Sequence, residues 1–79
     1  MPANTLRADR VWRMRDGRIF HLEFQSSRVP NLYRFFEYDV RLARQHQAQL
    51  RTVVLYHGDV SNAPEALDIG TAVYHVENV

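Results

Sequence analysis

Two stretches of alternating apolar and polar residues lie on either side of Asp16-Gly17. Such alternation is the period of a half-buried β-strand, so the pattern predicts strands over residues 6–15 and 18–26. Asp-Gly between two such runs is a strong turn signal, and we therefore expect an antiparallel β-hairpin. Seven of the even positions in the two runs carry apolar side chains, namely Leu6, Ala8, Trp12, Met14, Phe20, Leu22 and Phe24.

The faces of this hairpin predict the length of its loop, because cross-strand partners point to the same side of the sheet. A two-residue loop would set Trp12 opposite His21 and mix apolar with polar side chains at every step. An odd loop, such as a three-residue turn over residues 16–18 with Gly17 left-handed, puts all the aromatic side chains on one face. We therefore expect an odd loop, and the other face then carries Asp9, His21, Glu23 and Gln25.

A helical periodicity begins at Asn31, after the strand is broken by residues 26–30. The helix is predicted over residues 31–47. Its apolar stripe is Leu32, Phe36, Val40 and Ala43, and its polar face carries Arg34, Glu37, Arg41 and Arg44. Glu37 precedes Arg41 by four residues, which is the favourable orientation for an ion pair along a helix.

The rest of the chain completes an α+β fold. Residues 51–57 contain an apolar run without alternation, as expected for a strand covered on both faces, and a crossover through the helix makes it parallel to residues 18–26. Residues 58–70 are predicted to be a loop with one helical turn around residues 65–67, and residues 71–76 a last strand. The expected architecture is a mixed four-stranded sheet with the order of elements hairpin, helix, strand, strand.

Length and composition narrow the possibilities further. A chain of 79 residues supports one domain, residues 1–79, and a composition that is 46% hydrophobic and 24% charged is that of a globular protein. The absence of cysteine excludes disulfides and thiolate metal sites. No apolar run is long enough to cross a membrane and the first residues lack the pattern of a signal peptide, so we expect a cytoplasmic protein with no membrane partner.

The net charge of +1 is unevenly distributed. Residues 1–28 carry +3, residues 29–50 carry +1 and residues 51–79 carry −3. All ten basic residues are arginine, whose planar guanidinium suits phosphates and carboxylates. No mechanism that needs a lysine is open to this chain. A +3 segment is by itself a weak indication of nucleic-acid binding, since solvated strands often carry such a charge.

Asp9 and Glu23 are the residues with the clearest potential for chemistry. Two carboxylates on adjacent strands can hold a hard cation such as Mg²⁺, which prefers oxygen ligands and often bridges to a phosphate. A solvated hairpin face has the same pattern, so the spacing leaves both interpretations open. His21, on the same face, could donate to the carboxylate or bind DNA, and it also fits a half-exposed strand histidine.

The segment from Ala8 to Ser26, with Asp9, the Asp16-Gly17 turn and Glu23-Phe24-Gln25, resembles the PD-(D/E)xK nuclease superfamily. Within it, the sequence is similar to the branch of transposase-like, recombination-promoting nucleases in which the last motif reads Glu-x-Gln. The aromatic helix and the apolar strand that follow are also similar to that branch, so the resemblance covers most of residues 8–57. It implies a restriction-endonuclease-like core and metal-dependent cleavage of DNA.

Carried over residue by residue, the resemblance implies that Asp9 and Glu23 ligate Mg²⁺ or Mn²⁺, with the backbone carbonyl of Phe24 completing the metal shell. Gln25 takes the position of the usual lysine and would orient a water by hydrogen bonding. The family core begins with a helix and a strand ahead of the aspartate strand, whereas eight residues precede Asp9 here. The chain thus resembles a truncated member, and a catalytically silent remnant that acts as a self-associating module is the alternative function.

Three further residues are candidates for contact with nucleic acid. Arg28 follows the motif strand and could lie beside the scissile phosphate. Arg34 and Tyr38 are one helical turn apart and could meet a phosphate together, although a tyrosine at that spacing also fits packing with its hydroxyl at the surface. One helix can cover only one face of the sheet, so we also expect a homodimer that buries the other face.

Overall fold

The computed structural model describes residues 2–5, 10–25, 31–56 and 63–79, and of residues 2–5 only the backbone. The elements in these ranges are β1 (Pro2–Thr5), β2 (Val11–Met14), β3 (Ile19–Gln25), α1 (Leu32–His46), β4 (Leu50–Tyr56), β5 (Ala66–Asp68), β6 (Val73–His75) and β7 (Glu77–Asn78). A mixed sheet has the strand order β1-β2-β3-β4-β7, and β5 pairs with β6 in a second sheet. The predicted α+β class, with one helix and a mixed sheet, is confirmed.

The hairpin of β2 and β3 has the predicted odd register. Trp12 lies opposite Phe20, and Val11 lies opposite His21. The Met14 N–H donates to the Arg18 carbonyl over 2.7 Å, so the loop is residues 15–17, one position earlier than the predicted 16–18. Gly17 has a φ of 92°, which confirms the expected positive φ at this position. Strand alternation puts His21, Glu23 and Gln25 on one face.

Helix α1 covers this odd-numbered face of the hairpin. Val11 and Ile19 form a buried cluster with Leu42 of the helix. The even-numbered face is less covered, and the Phe24 side chain on it is 53% exposed. The small β-branched residues at odd positions therefore form the contact with the helix, while the larger aromatic residues lie on the opposite side of the sheet.

The predicted bounds of the helix are close to those observed, but its predicted apolar stripe is wrong. The buried positions are Leu32, Phe35, Asp39 and Leu42 rather than Leu32, Phe36, Val40 and Ala43. Val40 is 51% exposed. The difference arises because Asp39, a charged residue, is buried in the middle of the contact, so a stripe chosen from apolar residues alone is rotated by one position. The predicted polar face, Arg34, Glu37, Arg41 and Arg44, is exposed as expected.

Strand β4 is parallel to β3, as predicted, with Leu22 opposite Val53 and Glu23 opposite Val54. Val53 and Val54 point to opposite faces of the sheet and both are buried. On its other side β4 pairs in parallel with the short β7. The Arg51 guanidinium donates to the Glu77 carboxylate, with 2.9 Å between Nη2 and Oε1, and so links these two strands at the surface.

The segment before β7 differs from its prediction. The helical turn expected around residues 65–67 is wrong, because β5 is extended there and Leu67 lies opposite Tyr74 in an antiparallel pair with β6. The last predicted strand, residues 71–76, contains β6, but β6 pairs with β5 and does not join the main sheet. Tyr74 and Val76 pack with Leu32, Phe35 and Val54 in a second core cluster. None of the described helices is long and apolar enough to cross a membrane.

Candidate functional site

A pocket of about 350 Å³ lies between the β2–β3 hairpin and the first half of α1. We call it the Glu23 pocket. It is lined by Arg10, Val11, His21, Glu23, Arg34, Phe35, Glu37, Tyr38 and Arg41. Strand β3 contributes a carboxylate and an imidazole, and the exposed side of the helix contributes two of the three arginines.

The structure brings together four of the candidate residues that the sequence singled out. His21 and Glu23 from β3 line the pocket with Arg34 and Tyr38 from α1. Gln25 is half-buried, on the same face of β3 as Glu23 but beyond the pocket lining. Asp9 and Arg28, the other predicted side chains, lie outside the described residues.

The backbone carbonyl of Phe24, the predicted metal ligand, and the Phe24 ring point in different directions. Its ring lies on the opposite face from Glu23, under the Arg10 guanidinium at 5.1 Å from the ring centre. The Leu22 N–H donates to the Arg10 carbonyl over 2.9 Å, so even-numbered residues of β3 direct their backbone groups toward the β2 edge. The Phe24 carbonyl therefore points to the same edge, one strand repeat beyond Arg10.

His21 is buried between two carboxylates. Its Nδ1 lies 2.6 Å from Oδ1 of Asp39 and its Nε2 lies 2.6 Å from Oε2 of Glu23. The ring is 1% exposed, so the alternative of a half-exposed strand histidine is wrong. Both nitrogens face carboxylate oxygens, which accept hydrogen bonds when ionised, and the arrangement is satisfied when both nitrogens carry a proton.

The electrostatic environment favours this charged form of His21. Burial alone lowers the pKa of the ring, because it disfavours the imidazolium. The hydrogen bonds to Asp39 and Glu23 and the negative charges of these residues outweigh burial and raise the pKa of His21 to about 9. The ring is therefore an imidazolium at neutral pH.

Asp39 accepts hydrogen bonds on its other oxygen as well. The Thr52 hydroxyl of β4 and the Tyr74 hydroxyl of β6 both donate to Oδ2. Burial and the adjacent Asp39 carboxylate raise the pKa of Tyr74 far above its usual range, so this hydroxyl keeps its proton. We call Asp39, His21, Glu23, Thr52 and Tyr74 the Asp39 network. It joins β3, α1, β4 and β6 through one buried carboxylate.

Glu23 ends this network at the pocket. Oε2 accepts from His21, while Oε1 lies 3.8 Å from Nη1 of Arg10. The Glu23 side chain is 17% exposed, so a ligand in the pocket can reach it while His21 fixes its other side by a hydrogen bond. The network thus presents one carboxylate oxygen in a fixed direction.

The charge of the Glu23 pocket suits an anionic group. Its basic groups are Arg10, Arg34, Arg41 and the imidazolium of His21, and its acidic groups are Glu23 and Glu37. Because His21 is paired with the buried Asp39, the groups left to set the charge of the pocket are three arginines and two glutamates. Guanidinium groups bind phosphate oxygens through paired N–H donors, and a phosphodiester is a ligand that this balance of charge would attract.

The donor atoms can be compared with those that Mg²⁺ or Mn²⁺ requires. Glu23 Oε1 and the Phe24 carbonyl are oxygen donors of the kind that these cations prefer. In the described part of the chain no group of three or more His, Asp or Glu residues is placed to hold a metal ion. The described donors thus fit the metal in kind, and a complete site needs a second carboxylate.

The Asp39 network and the contribution of Arg10 and Arg41 to the pocket were not predicted from the sequence. One signal for Asp39 was available: positions 32, 35, 39 and 42 follow a helical period, and three of them are apolar. No comparable signal identified Tyr74, because β6 reaches Asp39 only through the tertiary fold. Comparison of the chain with protein-family models, with curated proteins and with solved structures found no match.

Proposed function

We propose that the chain is a metal-dependent DNA endonuclease-like domain whose site is the Glu23 pocket. One observation carries this proposal: Glu23 lines a single positively charged pocket with Arg34 and Tyr38. The resemblance to the transposase-like branch of PD-(D/E)xK nucleases assigned Glu23 to the metal, and the helical spacing of Arg34 and Tyr38 made them candidates for contact with a phosphate. A cytoplasmic location and DNA as partner belong to the same proposal.

In this proposal Asp9 and Glu23 are the carboxylate ligands of Mg²⁺ or Mn²⁺, and the Phe24 carbonyl is a third ligand. A bound divalent cation would polarise the scissile phosphate and lower the pKa of a water that attacks it. Glu23 offers Oε1 for this purpose, because Oε2 is engaged by His21. Asp9 immediately precedes Arg10 in the sequence, and the Arg10 carbonyl accepts a hydrogen bond from the Leu22 N–H of β3.

The arginines of the pocket take the electrostatic part that a lysine would otherwise have. Gln25 can orient the attacking water through a hydrogen bond, but its neutral amide stabilises developing negative charge less well than an ammonium group. Arg34 and Arg41 are exposed two turns apart on α1 and line the same pocket as Glu23. They would bind the phosphodiester and offset the charge that develops on it, and Tyr38 between them would donate its hydroxyl to a phosphate oxygen.

The test is a plasmid-nicking assay with and without Mg²⁺. Glu23→Gln removes the charge of the proposed ligand and keeps the shape of the side chain. Glu65→Gln makes the same chemical change at an exposed carboxylate elsewhere on the chain. We expect metal-dependent nicking by the wild type and the Glu65 variant and none by the Glu23 variant. Absence of cleavage with either Mg²⁺ or Mn²⁺, or equal cleavage by all three proteins, would contradict the proposal.

A second candidate function is a catalytically silent, self-associating module. It is favoured by the even-numbered face of the hairpin, where the Trp12 and Phe20 rings lie 5.9 Å apart and Phe24 is 53% exposed. Apolar surface of this kind is often buried between two copies of a chain. Sedimentation at micromolar concentration should then give twice the chain mass of 9.3 kDa, and Phe24→Gln should return it to the monomer value. A wild-type monomer would exclude this candidate.

A further inference from the structure

Asp39, His21 and Glu23 form a continuous line from the interior to the Glu23 pocket. His21 and Glu23 are two residues apart on β3 and share a face, so the ring lies directly beside the carboxylate. Asp39 approaches the far side of the ring from the middle of α1. The two outer members differ in access, because Glu23 lines the pocket and Asp39 is buried.

The imidazole can hold Glu23 only if the ring itself is held. A glutamate side chain has several rotatable bonds, and a charge-assisted hydrogen bond from His21 Nε2 to Oε2 selects one of its rotamers. The ring is fixed by the bond from Nδ1 to Asp39 and by an edge contact with Tyr38, whose ring centre is 4.9 Å away. Without Asp39, Nδ1 would be a buried donor with no acceptor among the described residues, and the ring would reorient.

Asp39 is in turn held by residues from two further strands. Thr52 of β4 and Tyr74 of β6 donate to Oδ2, and His21 donates to Oδ1. With three donors on two oxygens, the carboxylate cannot rotate without breaking at least one bond. The orientation of Asp39 is therefore set by the tertiary fold. Asp39 fixes the His21 ring, and the ring in turn fixes the Glu23 carboxylate.

We infer that Asp39 is a positioning residue for Glu23, acting through His21 to hold the carboxylate in the direction that the reaction needs. The functional part of this inference rests on the proposed nuclease activity. Partners behind a metal-binding side chain commonly change metal affinity or activity by about 10- to 100-fold when they are removed. A residue that only stabilises the fold would have no effect on the activity of the folded protein.

The test compares Asp39→Asn and Asp39→Ala with Val76→Ala. Val76 is buried in the second core cluster, which also contains Tyr74, but it makes none of the hydrogen bonds of the Asp39 network. Its truncation should therefore lower stability without removing a bond to Asp39, His21 or Glu23. The Asp39→Asn change keeps an oxygen that can accept from the ring but removes the charge, whereas Asp39→Ala removes the contact altogether. Nicking is measured at a temperature at which circular dichroism shows each protein to be folded.

We expect the nicking rate per folded molecule to fall by about tenfold in Asp39→Asn and about 100-fold in Asp39→Ala, with a higher Mg²⁺ concentration needed for half activation. Val76→Ala should match the wild type in both quantities. If Asp39→Ala does not fold, the comparison of Asp39→Asn with Val76→Ala decides the question. Equal rates in these two variants would overturn the inference.

A second measurement separates failure of this inference from failure of the proposed function. The three-bond couplings of the Glu23 side chain in NMR report whether it occupies one rotamer or several, and they need no enzymatic activity. We expect values for one rotamer in the wild type and in Val76→Ala, and averaged values in the two Asp39 variants. If the wild type does not nick DNA, the proposed function fails, and unchanged couplings in Asp39→Asn would still overturn the positioning by Asp39.

Discussion

Raising the pH from 6 to 9 should destabilise the folded chain through His21. The pKa of His21 is about 9 in the folded protein, against an ordinary value of 6.5. A group whose pKa is raised by folding binds its proton more tightly in the folded state, so its stabilisation is fully present below the unfolded pKa. It is lost as the pH rises through the folded pKa.

The expected magnitude follows from the size of this shift. The difference of about 2.5 units corresponds to about 3 kcal/mol, because each unit is worth about 1.4 kcal/mol. His21 is 1% exposed, so screening by solvent does little to reduce this value. A small domain has a free energy of unfolding of about 5 kcal/mol at the lower end of the usual range, and His21 would then account for a large share of it.

Urea unfolding between pH 6 and 9 measures this effect, with the fluorescence of Trp12, the single tryptophan, as the signal. The free energy of unfolding should fall with rising pH in the wild type and stay nearly constant in His21→Gln. His75→Gln, a change at an exposed histidine on β6, should behave like the wild type. A wild-type stability that is flat or rises over this range would refute the buried imidazolium, as would an equal decline in His21→Gln.

Three further changes test other parts of the structure. Phe35→Ala should lower the free energy of unfolding by about 3–5 kcal/mol, since Phe35 is 1% exposed in the core, and a loss below 1 kcal/mol in urea unfolding would contradict its placement. Gly17→Ala should lower the free energy of unfolding by about 1–2 kcal/mol, because a φ of 92° is strained for alanine. A Cβ at this position meets nothing within 4 Å, so the loss reports backbone strain alone, and an unchanged stability would indicate a different loop conformation. DNA affinity in fluorescence anisotropy should fall about 40-fold between 50 and 200 mM salt if Arg10, Arg34 and Arg41 each neutralise one phosphate, and a salt-independent affinity would exclude backbone binding at this pocket.

Local sequence patterns predicted the hairpin and the helix well. The odd register of the hairpin could be predicted because placing Trp12 and Phe20 on the same face depends only on the period of a strand. The helix was predicted to within one residue at each end, since Asn31 accepts a hydrogen bond from the Arg34 N–H as an N-cap and Gln47 ends the helix with a positive φ.

The side of the hairpin that meets the helix could not be derived in the same way. The larger aromatic residues are at even positions, yet the helix packs on Val11, Ile19 and His21. That choice depends on the Asp39 network, which compensates the burial of an aspartate and a histidine by hydrogen bonds from distant elements. A hydropathy scale treats Asp39 and His21 as polar and therefore assigns both to the surface.

Only part of the candidate site could be predicted from the sequence. Glu23, Arg34 and Tyr38 can be recognised individually from their residue types and spacing, whereas the contacts of Asp39, Thr52 and Tyr74 behind Glu23 depend on the tertiary fold.

The attachment of Tyr74 has a consequence for local unfolding. Tyr74 is stacked on Phe36 with ring centres 4.8 Å apart, and its hydroxyl is bonded to Asp39, 35 positions earlier in the chain. A two-stranded hairpin as short as β5–β6 would be marginal by itself, and it opens freely when nothing holds it. Here, separation of β6 from α1 leaves the Asp39 carboxylate with one hydroxyl donor fewer in the core. The β5–β6 hairpin and the centre of α1 are therefore coupled in one cooperative unit, whose amide protons exchange with solvent together.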